Sequence, residues 1–428
     1  MSNLMRTRLI SWAAVLLSGV QPAAICRAQT FEAQKDEVSP EMEAAPENLP
    51  RYNIPWGSGG FNLSAGLRGV YVDNVYLTQT GARDDFILVP ECDLAAFFPI
   101  GQSNTVVVDL GLAYYQYLKN TALNTGTPVI NPNSELAFNM QVDDFRFRFS
   151  ERFSYQTSPV YETGGEFFNV YNTGLFERYE NRVGALGTWD LHDLVVSAGY
   201  YHENLWANTA QYDYIDHASE LFSADAMLAL SPRVKAGLET AGSINRFDND
   251  VTSDAWRARV GPALRLDVSQ FIKVRLGAGY ERIQYDSSQA SALGINSENT
   301  YYAYAGVDHV ITRFFSQSLQ VFHDNQLGYD AGNLAGTHVQ YSLTWRPKEL
   351  LSLSPHAAVS FYDESYGSGP PSLYHERFTY VLAGLTARYQ LGQHWRTSLS
   401  WDYRLKDSDI TAYGYTQNQV GLELTYQF

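Results

Sequence analysis

The run Asp216-His217-Ala218-Ser219 contains residue types that could hydrolyse an ester, with a histidine as the base and a serine as the nucleophile. A phospholipase could use this His-x-Ser spacing. The run closes a long polar segment, however, and lacks the glycine context expected of an oxyanion site. The sequence therefore predicts a protein that is not an enzyme.

Metal and cofactor chemistry finds little support in the residue pattern. Asp248, Asp250 and Asp254 offer the hard oxygen ligands that calcium prefers, but a solvated acidic loop is the simpler interpretation. The nine histidines are scattered without metal-ligand spacing, and no glycine-rich phosphate loop opens a helix. We expect no metal and no cofactor. A net charge of -16 also argues against a nucleic-acid partner.

The most regular pattern in the chain is an alternation of apolar and polar residues with period two. In residues 256–267 the even positions, from Trp256 to Leu266, are apolar, whereas most odd positions are charged. Successive side chains of a strand point to opposite faces of the sheet, so this pattern predicts strands with one apolar and one wet face. The segments run about ten to fifteen residues, which suits tilted strands that cross a bilayer better than ordinary globular strands.

Short and long connections alternate between these segments. The link at 143–144 is tight, whereas the polar segments 120–133 and 287–299 are long. Outer-membrane barrels have tight periplasmic turns and longer extracellular loops. The sequence thus predicts an all-β fold, a transmembrane antiparallel up-and-down outer-membrane β-barrel of about eighteen strands. Sixteen strands remain possible, because Pro90 and Asp93 interrupt the second segment and the fourth is weak.

The charged face of such strands should point into the lumen, because charges on the lipid face of a barrel cost stability. These side chains could line a water-filled conduit, which an infolded loop could narrow, or pair across strands and hold the wall together. A barrel of this size is wide enough for an aqueous channel, which favours the conduit. The predicted pore-lining residues are Arg146, Arg148, Arg152, Arg178, Arg182, Arg257, Arg259, Arg265, Asp267, Lys273, Arg275, Glu281, Tyr302, Tyr304, Arg396 and Arg404.

The first 28 residues predict a cleaved signal peptide. Arg6 and Arg8 form a basic region, residues 9–20 are apolar, and Ala28 ends a small-residue cleavage site. The apolar run is too short for an anchor helix, and the residue before Cys26 fits a lipoprotein site poorly. We therefore expect export from the bacterial cytoplasm to the outer membrane.

The mature chain divides into two unequal parts. Residues 29–55 are rich in acidic residues and proline, which predicts a flexible periplasmic segment. The alternation of apolar and polar residues continues throughout residues 56–428, which predicts a single barrel domain. Cleavage would leave Cys92 as the one remaining cysteine, so no internal disulfide can form.

The C-terminal strand predicts an assembly signal. Leu424, Tyr426 and Phe428 share one face, and Phe428 is the last residue. A terminal aromatic residue preceded by apolar residues at alternate positions looks like the signal read by the barrel-assembly machinery. We expect this machinery and outer-membrane lipid to be partners.

Three segments near the start of the predicted barrel carry a family resemblance. Residues 70–76 (VYVDNVY), 84–91 (DDFILVPE) and 112–117 (LAYYQY) resemble the opening of a β-barrel porin family associated with exopolysaccharide synthesis and export. The resemblance implies passage of a polysaccharide or of small hydrophilic solutes, with polysaccharide and periplasmic export components as partners. Inward-facing tyrosines, among them Tyr115 and Tyr201, would suit sugars. The alternative is a structural or adhesive barrel with a closed lumen and partner-binding extracellular loops.

Overall fold

The computed structural model describes residues 52–428 apart from 158–176, 209, 211–212, 214–215, 249–253, 287–296, 328–332 and 366–375. The predicted signal peptide and residues 29–51 of the acidic segment lie outside this part, so both assignments stay predictions. Asp250 lies outside it as well.

Eighteen long strands make up nearly all of the described chain. They are β1 (Gly59–Val72), β2 (Asp85–Ile100), β3 (Asn104–Ala113), β4 (Glu135–Val142), β5 (Phe145–Gln156), β6 (Arg178–Asp190), β7 (Leu194–Ala207), β8 (His217–Ser231), β9 (Val234–Phe247), β10 (Ala255–Ser269), β11 (Ile272–Tyr285), β12 (Ser297–Thr312), β13 (Phe315–Leu327), β14 (Asn333–Lys348), β15 (Leu351–Ser365), β16 (Glu376–Leu391), β17 (Trp395–Ser408) and β18 (Tyr415–Gln427).

A few shorter elements accompany them. Three short strands lie at Ile54–Trp56, Gln116–Tyr117 and Val129–Ile130. Single 3-10 turns lie at Thr121–Leu123 and Thr411–Tyr413. Within the described part, no helix is long and apolar enough to cross a membrane. Ile54–Trp56 pairs with the start of β1, so residues before 56 also contact the barrel.

Each long strand pairs antiparallel with its chain neighbours, and β18 pairs with β1 to close the barrel. The predicted antiparallel up-and-down barrel is confirmed, with eighteen strands rather than sixteen. The doubtful second and fourth segments are β2 and β4. Pro90 has no N–H to donate, and the pairing of β2 with the following chain breaks there before resuming between Leu88 and Gln116.

Tight turns lie at one end of the barrel, called the turn end here, and longer connections at the other, the loop end. Gly101 and Gly392 take positive φ angles of 72° and 82° in two of the tight turns. A residue without a side chain adopts this conformation at no steric cost.

The outer face of the barrel is apolar. Leu238 and Leu422 are among the most exposed of these side chains, at 62% and 60%. An apolar belt of this kind, closed on itself so that no strand edge is left, is the surface that a bilayer covers. Exposed aromatic residues mark both margins of the belt, for example Phe145, Trp189 and Trp395 near the turn end and Trp206 and Trp256 near the loop end.

The last residue lies where the barrel closes. The Phe428 N–H donates to the carbonyl of Leu63 on β1 at 3.1 Å, and the Phe428 ring packs edge-on against Tyr426 at 5.0 Å. Leu424 and Phe428 are exposed on the outer face. These contacts agree with a role in closing the barrel, while recognition by assembly machinery stays a prediction.

Candidate functional site on the inner wall

Buried charges occupy the inner wall of β9–β11, which carries several of the predicted pore-lining residues. Glu239 is 1% exposed and Glu281 is fully buried. Glu281 Oε1 lies 3.4 Å from Arg257 Nε, and the Arg259 guanidinium lies over the Tyr302 ring, 4.8 Å from its centroid. The two arginines are therefore compensated within the wall by an acid and an aromatic ring.

Glycines on neighbouring strands make room for two tyrosines to lie flat on the wall. Tyr304 is directly opposite Gly277, and Tyr302 is opposite Gly279. A Cβ atom at Gly277 would come within 2.3 Å of the Tyr304 ring, and one at Gly279 within 2.6 Å of the Tyr302 ring. From this position Tyr304 donates its hydroxyl hydrogen to Glu239 Oε2 at 2.8 Å, reaching from β12 to β9.

A second paired group lies on the inner wall of β4 and β5. Arg148 is 8% exposed and its Nη2 donates to Glu135 Oε2 at 2.8 Å, while Arg152 Nε lies 3.7 Å from the other Glu135 oxygen. Arg146 is 3.3 Å from Asp190 on β6. Sequence reasoning missed Glu135, because it begins a strand too short to show its alternation clearly.

Most of the remaining predicted residues also have partners in the wall. Arg178 donates to Glu180 at 2.7 Å, Arg275 lies 3.5 Å from Asp308, and Arg404 donates to Gln417 at 3.0 Å. Arg182 lies over the ring of Tyr201 at 4.5 Å.

Three cations closer to the turn end lie side by side in the wall. Lys235, Arg265 and Arg275 stand directly opposite one another on β9, β10 and β11. Directly opposed like charges destabilise a sheet. Lys235 and Lys273 are exposed and Arg265 is half-buried. Sequence reasoning missed Lys235, whose register with Arg265 only the strand pairing reveals.

Two predicted residues contribute little to these groups. Asp267 is exposed beside the turn to β11, opposite Lys273. Arg396 is half-buried on β17, near the Asp93 and Glu423 carboxylates. No observation tests the pore-lining role of the predicted set, which stays a prediction.

Two connections at the loop end fold inward over the wall. These inward-folded loops, residues 73–84 and 114–134, contribute Val75, Leu123 and Val129 to an apolar cluster with side chains of β1 and β2. Those strand side chains alternate with Tyr71 and Phe86, which are exposed on the outer face, so the cluster lies inside the barrel. All three segments that carry the family resemblance meet in this cluster.

Asp85 fastens the second inward-folded loop to β2. Its fully buried carboxylate accepts hydrogen bonds from the backbone N–H groups of Phe86 (2.7 Å), Leu118 (3.0 Å), Lys119 (3.0 Å) and Asn120 (2.7 Å), and from the Asn120 side chain (2.8 Å). No sequence pattern indicates this role, since the partners at residues 118–120 lie more than thirty residues away.

Further polar contacts hold the inward-folded loops at their edges. The Asn74 side chain donates to the carbonyls of Thr78 and Thr416 at 2.8 and 2.9 Å, which joins residues 73–84 to β18. A hydrogen bond to Asp84 raises the pKa of the exposed Lys119 ammonium.

The His-x-Ser run does not present a ready nucleophile. Ser219 donates its hydroxyl hydrogen to Asn245 Oδ1 at 2.6 Å, and the His217 ring packs against the Phe247 ring at a tilt of 40°, with 5.1 Å between the ring centroids. Burial raises the pKa of the nearby Asp216 carboxyl. Within the described residues, no group of acidic, histidine or cysteine side chains could hold a metal ion.

Comparison with known proteins yields similarity of fold alone. No family model and no curated protein matches the sequence. Pseudomonas aeruginosa OccK5 (OpdH) gives a TM-score of 0.49 at 11% identity, over 86% of this chain and 98% of that chain. OccK2 (OpdF) of the same organism, in complex with glucuronate, gives 0.47 at 11% identity over 86% and 98%. Vibrio cholerae OmpT without loop L8 gives 0.41 at 11% identity over 87% and 100%.

Proposed function

We propose that this protein is an outer-membrane conduit for small hydrophilic solutes. The observation that carries the proposal is a closed eighteen-stranded barrel with an apolar outer face and a charged inner wall. Barrels of sixteen to eighteen strands leave an aqueous channel. Outer-membrane barrels place their tight turns in the periplasm, so the loop end would face the exterior.

The inward-folded loops favour small solutes. They cover part of the inner wall at the loop end and narrow the lumen there. Polysaccharide passage, which the family resemblance implies, would need a wider opening or stacking platforms for sugars. The inward tyrosines do not supply such platforms, because Arg182 lies over Tyr201, Arg259 lies over Tyr302, and Tyr115 packs against the apolar cluster.

The uneven pairing of charges suggests where selectivity arises. Lys235, Arg265 and Lys273 have no carboxylate within ion-pair distance among the described residues, whereas Arg257 has its own acid, Glu281. Uncompensated charges on a pore wall bias the passage of ions of opposite sign. We expect the conduit to favour anions despite the negative net charge of the whole chain.

Single-channel recording in planar bilayers tests this proposal. The wild-type protein should conduct, and a KCl gradient should give a reversal potential of anion-selective sign. Changing Lys235, Arg265 and Lys273 together to Glu should invert that sign. Arg282→Glu, which alters an outer-face charge, is the control and should leave the sign unchanged. If the triple variant keeps the reversal potential of the wild type, these cations do not line the conduction pathway.

Solute size is tested in liposomes that contain the protein. Swelling should be fast with a monosaccharide and absent with a long oligosaccharide; equal rates would favour polysaccharide passage. Absence of conductance and of swelling would overturn the conduit and favour a structural barrel. The paired groups around Glu281 and Glu135 give that second candidate its support, because they stiffen the wall without needing an open lumen.

A further inference from the structure

Four polar side chains lie together on the outer face of β5–β8, within a belt that is mostly apolar. Glu151, Asn181, His202 and Glu220 all point outward there, and we call them the outer polar strip. Glu151 lies mid-strand between the exposed rings of Phe149 and Phe153. Elsewhere on the described outer face, charged side chains lie toward the strand ends, as Arg246 and Arg377 do.

The position of the outer polar strip places polar groups within the lipid-covered belt. His202 lies in the same strand as Trp206, which marks the loop-end margin, and is nearer the middle of the barrel. Charged groups on the lipid face of a barrel are destabilising, and polar groups in lipid need partners. A surface that breaks the pattern in this way is better suited to protein than to lipid.

Contacts within the strip leave two groups unused. The Asn181 amide donates to Glu151 Oε1 at 3.2 Å, and Tyr200 donates its hydroxyl hydrogen to Glu220 Oε2 at 2.6 Å. His202 Nδ1 lies 3.1 Å from the other Glu220 oxygen. Among the described residues, Glu151 Oε2 and His202 Nε2 make no hydrogen bond.

We propose that the outer polar strip is the contact between two copies of this chain. Glu151 on β5, Val183 on β6 and His202 on β7 stand opposite one another in the strand register. A two-fold axis along the membrane normal that passes beside β6 would bring β5 of each copy against β7 of its partner. Each Glu151 would then meet the partner's His202, and the same two contacts would form twice, as a two-fold interface requires.

Lipid is the less fitting occupant of this surface. The hydrocarbon chains of lipid offer no hydrogen-bond donor to the carboxylates of Glu151 and Glu220. A second copy instead offers an imidazole to Glu151 and keeps the exposed rings of Phe149 and Phe153 in contact with apolar side chains. The proposal does not depend on whether the lumen conducts.

Cysteine cross-linking in isolated outer membranes tests the contact. In a Cys92→Ser background, Val183→Cys places a thiol beside the proposed axis, and a short bis-maleimide should join two chains. Leu399→Cys on β17 is the matched control, since Leu399 is an equally outward and exposed apolar residue on another side of the barrel. We expect at least tenfold more cross-linked dimer from the β6 cysteine than from the β17 cysteine.

A second cross-linking experiment removes the polar groups of the strip. Glu151→Leu with His202→Leu, made in the Val183→Cys background, should lower cross-linking at least tenfold. Leucine suits a lipid-facing position, so this variant should still fold, which the heat-dependent shift on a detergent gel checks. Equal cross-linking at the two cysteines, or cross-linking that survives both leucines in a folded barrel, would overturn the proposal and leave the strip facing lipid.

Discussion

Removing the Asp85 carboxylate should release an inward-folded loop while the barrel stays intact. The side chain of Asp85 is fully buried and accepts four hydrogen bonds from residues 118–120, in addition to one from Phe86 next to it in the chain. Asp85→Ala removes this acceptor, although the Leu118 N–H keeps a hydrogen bond to the Phe86 carbonyl at 3.1 Å and the Asn120 side chain keeps one to the Asp84 carbonyl at 3.2 Å. The β-strand pairing of β2 with β1 does not use this side chain and should persist.

The magnitude follows from the number of bonds. Water in the lumen can reach part of the released loop, so we take the modest value of about 1 kcal/mol for each of the four bonds from residues 118–120. Loss of about 4 kcal/mol corresponds to roughly a thousandfold change in an opening equilibrium. The apolar contacts of Leu123 and Val129 remain, at about 2 kcal/mol each, and oppose complete release.

Hydrogen exchange and conductance measure the two consequences. In Asp85→Ala the amides of residues 116–124 should exchange faster by up to three orders of magnitude, and single-channel conductance should rise. Asp84→Ala is the control, because its ion pair with Lys119 is exposed to solvent and should contribute little to stability. Unchanged exchange at 118–120 would refute the role of Asp85. Faster exchange with unchanged conductance would show that the loop does not restrict the lumen.

Three further predictions concern assembly, packing and placement. Deleting Phe428, which bonds to Leu63 where the barrel closes, should reduce the folded outer-membrane fraction while export to the periplasm continues, as measured by fractionation. Gly277→Ala should lower thermal stability by about 1–3 kcal/mol because its Cβ meets the Tyr304 ring, whereas Gly306→Ala, whose Cβ would lie at an ordinary contact distance of 3.8 Å from Arg275 Nε, should not. Heating should shift the mobility of the protein on a detergent gel; recovery as a soluble periplasmic protein would contradict the membrane barrel.

Alternation along the sequence was enough to predict the strands. Period two requires only that the two faces of a strand meet different surroundings, and every strand of a closed membrane barrel satisfies this condition. The positions of the turns could be predicted for the same reason, because the alternation stops where the chain reverses direction. Even β2, interrupted by Pro90, kept its apolar and polar faces on either side of the interruption.

The inward-folded loops could not be predicted in the same way. Residues 114–134 show no lasting periodicity, and their position depends on Asp85, which lies more than thirty residues earlier. The cluster around Val75 and Leu123 forms only because β1, β2 and β3 are already neighbours in the closed wall. Local sequence patterns do not encode such contacts. They form because barrel closure has already brought the distant segments together, which lowers the entropy cost of closing each loop.

The roles of the charged residues on the inner wall depend on their partners. Alternation along a strand shows which face a residue occupies but does not identify its partner. Alternation placed Tyr304 and Glu239 on the polar face, yet they are 65 residues apart and meet across two intervening strands. The sequence did hold a signal for this contact. Gly277 and Gly279 lie on the polar face of β11. Glycine weakens a strand, so its presence there indicates that a neighbouring side chain packs closely against the backbone. Once β11 and β12 are known to pair, those glycines stand opposite Tyr304 and Tyr302. A glycine on the inner face of a barrel strand can therefore indicate that a neighbouring side chain lies against the backbone. At Gly277 that side chain is Tyr304, whose hydroxyl group reaches Glu239.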